Sequence, residues 1–122
     1  MLTVPPAVRI YVCAQPADMR NSFDGLSALV RDLIEQDPFS GHLFVFCNKK
    51  ADRVKVLWWD RSGYALWYKR LEEGQFRFPD LGASAYEMEA AELSLILEGI
   101  ELAGARRGKR YRWKGGTPVG PP

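Results

Sequence analysis

The feature that most constrains this chain is a run of short apolar, aromatic-rich segments between residues 42 and 78. HLFVFCN (42–48), RVKVLWWD (53–60), YALWYKRL (64–71) and QFRF (75–78) are rich in β-branched and aromatic residues, and the polar stretches NKKAD, DRSG and EEG separate them. Segments of this length and chemistry, joined by tight polar turns, predict an antiparallel meander of four strands. Side chains alternate across a strand. In the second segment Val54, Val56 and Trp58 therefore share one face, and Arg53, Lys55, Leu57 and Trp59 the other. Tyr64, Leu66 and Tyr68 oppose Ala65, Trp67 and Lys69 in the third, and Phe76 and Phe78 oppose Gln75 and Arg77 in the fourth. One sheet face is expected to mix Lys, Arg and Trp.

The flanks complete the expected fold. AVRIYVC (7–13) reads as a further strand whose place in the sheet the sequence does not give. Phe23, Leu26, Leu29, Val30, Leu33 and Ile34 recur at helical spacing and predict a helix over residues 23–36. Asn21 or Ser22 serves as its cap, Asp24 suits its positive start, and Asp37-Pro38 ends it. Gly25 is costly inside a helix, by about 1 kcal/mol against alanine, which suggests a close approach of another backbone there. Leu93, Ile96, Leu97 and Ile100 mark a second helix over residues 89–98, stopped by Gly99 or Gly104. The expected fold class is α+β: a mostly antiparallel meander of four or five strands with a helix in the N-terminal half and another near the C-terminus. At least one helix must cover the apolar sheet face. Residues 1–104 read as a single domain and residues 105–122 as a basic tail without apolar payload, expected to be disordered.

Charge is unevenly spread. RRGKRYRWK (106–114) holds six basic residues and no acid, while eleven basic and fifteen acidic residues lie elsewhere. A mildly acidic body with a strongly basic tail points to an acidic partner, and nucleic acid is the first candidate. Other classes fit poorly. No stretch approaches the length of a membrane span, and the first residues lack the basic and long apolar regions of a signal peptide, so a cytoplasmic location and no membrane partner are expected. Cys13 and Cys47 sit in apolar runs and read as buried strand thiols rather than a disulfide or zinc site. His42, the lone histidine, reads as structural. No nucleophile elbow or phosphate-binding glycine fingerprint occurs, and Asp18, Asp24, Asp52, Asp60, Glu72 and Glu73 are scattered. The sequence therefore predicts no catalytic residue, no metal and no cofactor. A nuclease remains as a third reading and needs carboxylates that converge in space.

Lysine and arginine neutralise phosphates, and aromatic rings stack on bases. The nucleic-acid candidates are Arg20, Lys49, Lys50, Arg53, Lys55, Lys69 and Arg70 in the body, with Arg106, Arg107, Lys109, Arg110, Arg112 and Lys114 in the tail beside Tyr111 and Trp113. No helix-turn-helix is recognisable, since about 50 residues of strand separate the two helices.

Three strings act together: DMRNSFDGLSALV (18–30), LFVFCNKKADRVKVLWWDRSGYALWYKRLEEGQFRFP (43–79) and ELSLILEGI (92–100). Over about residues 7–112 the chain resembles the TnpB accessory proteins of the "insertion sequence 66" transposon family, which are unrelated to the guide-RNA nuclease of the same name. The family's pattern falls on Met19-Arg20, Phe23-Asp24-Gly25-Leu26, Phe44-Val45-Phe46, Asn48, Asp52-Arg53, Lys55, Trp59-Asp60, Trp67 to Leu71, Gly74 and Phe76. Asn21-Ser22 stands where the pattern has a basic residue and glycine, and Cys47 where it has a basic residue. The resemblance implies a small factor encoded beside a larger transposase and a second small accessory protein. The expected function is thus non-catalytic: binding DNA at transposon ends, assisting the transposase, or both. The alternative is a protein adaptor for the transposase without DNA contact. Self-association is left open.

Overall fold

The structure is a computed structural model that describes residues 4–101 and 106–107. Five strands form one sheet: β1 (Ile10–Cys13), β2 (Leu43–Cys47), β3 (Arg53–Asp60), β4 (Gly63–Arg70) and β5 (Ala85–Met88), in the spatial order β4-β3-β2-β1-β5. β1 and β2 are parallel, joined by a helical crossover, and every other pairing is antiparallel. The fold is α+β. The undecided first strand lies inside the sheet, beside β2.

Two helices cover the two faces. The first, α1 (Phe23–Leu29), runs on as a π-helical segment, Val30–Ile34. It packs Leu26, Val30 and Ile34 against Phe44, Phe46 and Leu57. The second, α2 (Ala90–Leu97), packs Leu93, Ile96 and Leu97 on the opposite face against Ile10, Val12, Leu43, Val45, Val54, Val56 and Met88. Each such side chain, fully buried, contributes about 1.5–3 kcal/mol. Both faces of β2 are therefore buried, which is why LFVFC is apolar throughout rather than alternating.

Helix ends depart in detail from the sequence reading. Ser22 takes the N-cap position of α1, but its side chain makes no capping bond. The helix stops before Asp37-Pro38: Glu35 turns left-handed (φ 59°), and the Glu35 and Gln36 N–H groups both donate to Val30 O. Gly25 faces a side chain rather than another backbone, because a Cβ there would lie 2.9 Å from Asn21 Cγ. Gly99 (φ 82°) follows α2 and ends it.

The meander has three strands, not four. QFRF leaves the sheet after β4 and becomes a strap across the β2–β3 turn. Phe76 N–H donates to Ala51 O, Leu71 N–H to Asp52 O and Gln75 Nε2 to Lys50 O. Phe76 is buried in the α2-side core and Phe78 packs beside it, so the alternation correctly gave the inward residues. With only scattered backbone bonds to a turn, the segment cannot extend the ladder. The remaining edge strand is β5, a segment the sequence reading left unassigned. Tyr86 on β5 donates its hydroxyl to Pro79 O and holds the strap's far end. Beyond α2, Ile100–Glu101 (β6) and Arg106–Arg107 (β7) form a small antiparallel ladder.

Candidate nucleic-acid interface

Loops that follow parallel strands meet at one end of the sheet, the usual place for a ligand in βαβ units. The loop after β1 and the turn after β2 do so here. Ala17 N–H donates to Cys47 O at 2.9 Å and ties the two together. Between them lies a cleft of about 450 Å³ lined by residues 17–20, 48–50, 52 and 53.

Each wall has a local reason for its shape. Asn48 organises the turn: its Oδ1 accepts from the backbone N–H of Asp52 (3.1 Å) and Arg53 (3.0 Å), and its Nδ2 donates to Asp52 Oδ1 (2.7 Å). Ala51 adopts φ 58° to close it. Lys49 and Lys50 project from the tip into solvent, and neither is ion-paired among the described residues. On the other wall Arg20 grips Asp18 through Nε (3.0 and 3.1 Å) and Nη2 (2.6 Å), with a side chain 91 % exposed. The Arg20 hydrogen bonds hold the Asp18 carboxyl down at about 2.

Lys55 underlies this wall. It is only 6 % exposed, and its Nζ donates at 2.8 Å to both Met19 O and Asn21 O while lying 4.8 Å over the Tyr68 ring. An ammonium so buried must be satisfied, and two carbonyls and a ring do this. Lys55 thus pins the loop that presents Arg20. Arg53 is half-buried and donates to Tyr68 Oη at 3.1 Å.

Residues 8–107 match the sequence model of the family described as "IS66 Orf2 like protein". The chain belongs to the IS66 Orf2-like family. This agrees with the resemblance drawn from the sequence and points to an accessory role in transposition. Among curated proteins it is similar to two from Sinorhizobium fredii: uncharacterized protein y4jC, 40 % identical over 82 % of this chain and 86 % of that one, and uncharacterized protein y4hO, 35 % identical over 83 % and 88 %. No solved structure matches.

In this Orf2-like chain the remaining candidates lie apart from the cleft walls. Lys69 is turned to the α2 face, where its Nζ donates to Leu97 O at 2.9 Å and satisfies the last turn of α2. Arg70 stands opposite Arg53 in the ladder and is held by Glu72 (2.7 and 3.1 Å). Arg106 and Arg107 enter the β6–β7 ladder through their backbone, and Lys109, Arg110, Arg112 and Lys114 lie outside the described residues. Of the body candidates, Arg20, Lys49, Lys50 and Arg53 are brought together at one cleft, with Lys55 beneath them.

Other groups do structural work. His42 accepts the Arg9 N–H on Nδ1 (2.9 Å) and packs its ring on Tyr11. Cys13 and Cys47 fall in opposite clusters on the two sheet faces and are free thiols. Burial raises both, with Cys47 pushed to about 11, so neither is a thiolate at neutral pH. Among the described residues no three His, Cys, Asp or Glu side chains converge to hold a metal ion, and no helix is long and apolar enough to cross a membrane.

The sequence reading missed one group. At the opposite end of the sheet Phe39, Trp59 and Tyr64 form an aromatic cluster, with centroids 5.0 Å (Phe39–Trp59), 5.7 Å (Phe39–Tyr64) and 5.1 Å (Trp59–Tyr64) apart. Phe39 follows Pro38 in a loop, and no spacing rule links it to a hairpin twenty residues on.

Proposed function

We propose that this Orf2-like chain is a non-catalytic accessory protein of transposition that binds DNA at the cleft between residues 17–20 and 48–53. Arg20, Lys49, Lys50 and Arg53 contact backbone phosphates, and the basic tail adds sequence-independent attraction. Its work is architectural or recruiting: it holds transposon ends for the separate transposase. The observation that supports this reading is the convergence of four cationic side chains, from two loops nearly thirty residues apart, on one cleft.

The test is binding to labelled transposon-end and scrambled DNA across a salt series. The intact chain is compared with a Lys49→Ala/Lys50→Ala variant and with a chain ending at Gly104. The double variant should weaken binding to all sequences and lower the salt slope by about 2, roughly one per lost phosphate contact. An unchanged slope and affinity would remove the cleft from the DNA contact. The adaptor reading draws on a different observation, the aromatic cluster around the exposed Phe39 ring, since aromatic side chains concentrate at interface cores. It predicts capture of the purified transposase without DNA.

A further inference from the structure

Nucleic-acid strands differ in what they offer a protein. A duplex offers phosphates and groove edges, whereas a single strand also offers unstacked base faces. A protein that takes a single strand needs exposed ring faces on the same surface as its cations. The α1 side of the β3–β4 hairpin has this arrangement. Register places Arg53 opposite Arg70, Lys55 opposite Tyr68, Leu57 opposite Leu66 and Trp59 opposite Tyr64, all on one face. α1 packs over Leu57 and Leu66 in the middle. The two ends stay open, separated by about 20 Å at ~3.3 Å per residue along β3.

At one end are Arg53, Arg70, the cleft lysines and Tyr68, which is 47 % exposed with Lys55 against its ring. At the other, Phe39 is 55 % exposed even though Trp59 and Tyr64 hold it in place. The Phe39 N–H donates to Asp37 Oδ1 at 2.9 Å, which fixes the loop that presents the ring. Leaving about half of a large apolar ring in water forgoes part of the stabilisation its burial would bring. The local charge leans acidic, with Arg61 3.9 Å from Asp60 and the Asp37 carboxylate beside Phe39, so this end suits an uncharged base face rather than a phosphate.

We infer that this face binds single-stranded DNA in preference to duplex, with backbone phosphates on the Arg53–Arg70 and Lys49–Lys50 end and an unpaired base stacked on Phe39. The inference rests on the DNA-binding reading and specifies its substrate. A single strand is also what a melted or cleaved transposon end would present.

The experiment measures fluorescence anisotropy with a labelled oligonucleotide, single-stranded or annealed to its complement. It compares the full chain with Phe39→Ala, Phe39→Trp and Lys49→Ala/Lys50→Ala variants. Phe39 is largely in solvent, so Phe39→Ala should fold, and thermal melting checks this. The wild type should bind the single strand more tightly than the duplex. Phe39→Ala should lose about fivefold to a hundredfold on the single strand, the range for one stacked base, with little change on the duplex, and Phe39→Trp should retain binding. The lysine variant should weaken both. Equal binding of both forms with no effect of Phe39→Ala would overturn the inference and leave the DNA reading standing. No binding of either form at low salt would sink both. Loss of purified transposase by Phe39→Ala with unchanged DNA binding would overturn it in favour of a protein partner.

Discussion

Asp18 and Arg20 set the charge that one wall of the cleft presents. Their bidentate pair leaves the guanidinium exposed but partly neutralised, so an arriving phosphate competes with Asp18 for Arg20. Because the folded carboxyl is depressed to about 2 from an ordinary value near 4, the pair's contribution is fully present above pH ~4 and is lost as the pH falls through 2. Carboxyl carbon shifts in an NMR titration should place the Asp18 midpoint near 2, and Arg20→Gln should return it towards the ordinary carboxylate range. A wild-type midpoint near 4 would mean that the pair does not persist in solution. Cys47 gives a second residue-scale expectation. Burial and the nearby Asp52 charge push its thiol to about 11, so iodoacetamide at pH 7.5 should alkylate the native protein far more slowly than the unfolded chain. Residue types were readable from the sequence, but their states were not: the strand thiols and structural histidine depend only on local apolar runs, whereas the Lys55 environment depends on two carbonyls more than thirty residues away.

At the scale of elements, the period-2 pattern located β2, β3 and β4 to within a residue, because each is long and bounded by polar turns. It misjudged QFRF, since inward-facing alternation says which side chains are buried and nothing about whether the backbone finds a ladder partner. It missed β5, four residues of weak strand chemistry whose pairing with β1 is supplied by the rest of the sheet. α1 carries a prediction of its own. Gly→Ala inside a helix ordinarily gains up to about 1 kcal/mol. At Gly25 the new methyl would meet Asn21, 3.1 Å from its Cβ and closer to its amide, in the loop that also holds Arg20. Gly25→Ala should therefore lower the melting temperature, and Asn21→Ala added to it should recover part of the loss. A stabilised single variant would show that Asn21 moves aside at no cost.

Across the whole molecule, Lys55 couples the sheet to the site. It sits on a central strand, is buried, and reaches through to the entry of α1. Lys55→Met keeps the packing of the stem but leaves the Met19 and Asn21 carbonyls without their donor, at a cost of about 1–3 kcal/mol. Chemical denaturation should register that loss, and hydrogen exchange should quicken at the amides of residues 18–22 more than in β2. If exchange rose evenly across the sheet, Lys55 would be a general core residue rather than a pin for the loop. The sequence alone determined the α+β composition, the three long strands, the two amphipathic helices and the separation of an acidic body from a basic tail. These are matters of local spacing and content, on which side-chain alternation and charge act directly. The tertiary structure decided where β1 enters the sheet, that Lys55 is buried while Lys49 and Lys50 are not, that Arg20 joins the β2–β3 turn, and that Phe39 meets Trp59 and Tyr64. Each is a contact between distant segments. It is created when the parallel β1–α1–β2 crossover closes, and no pattern confined to one segment carries that information.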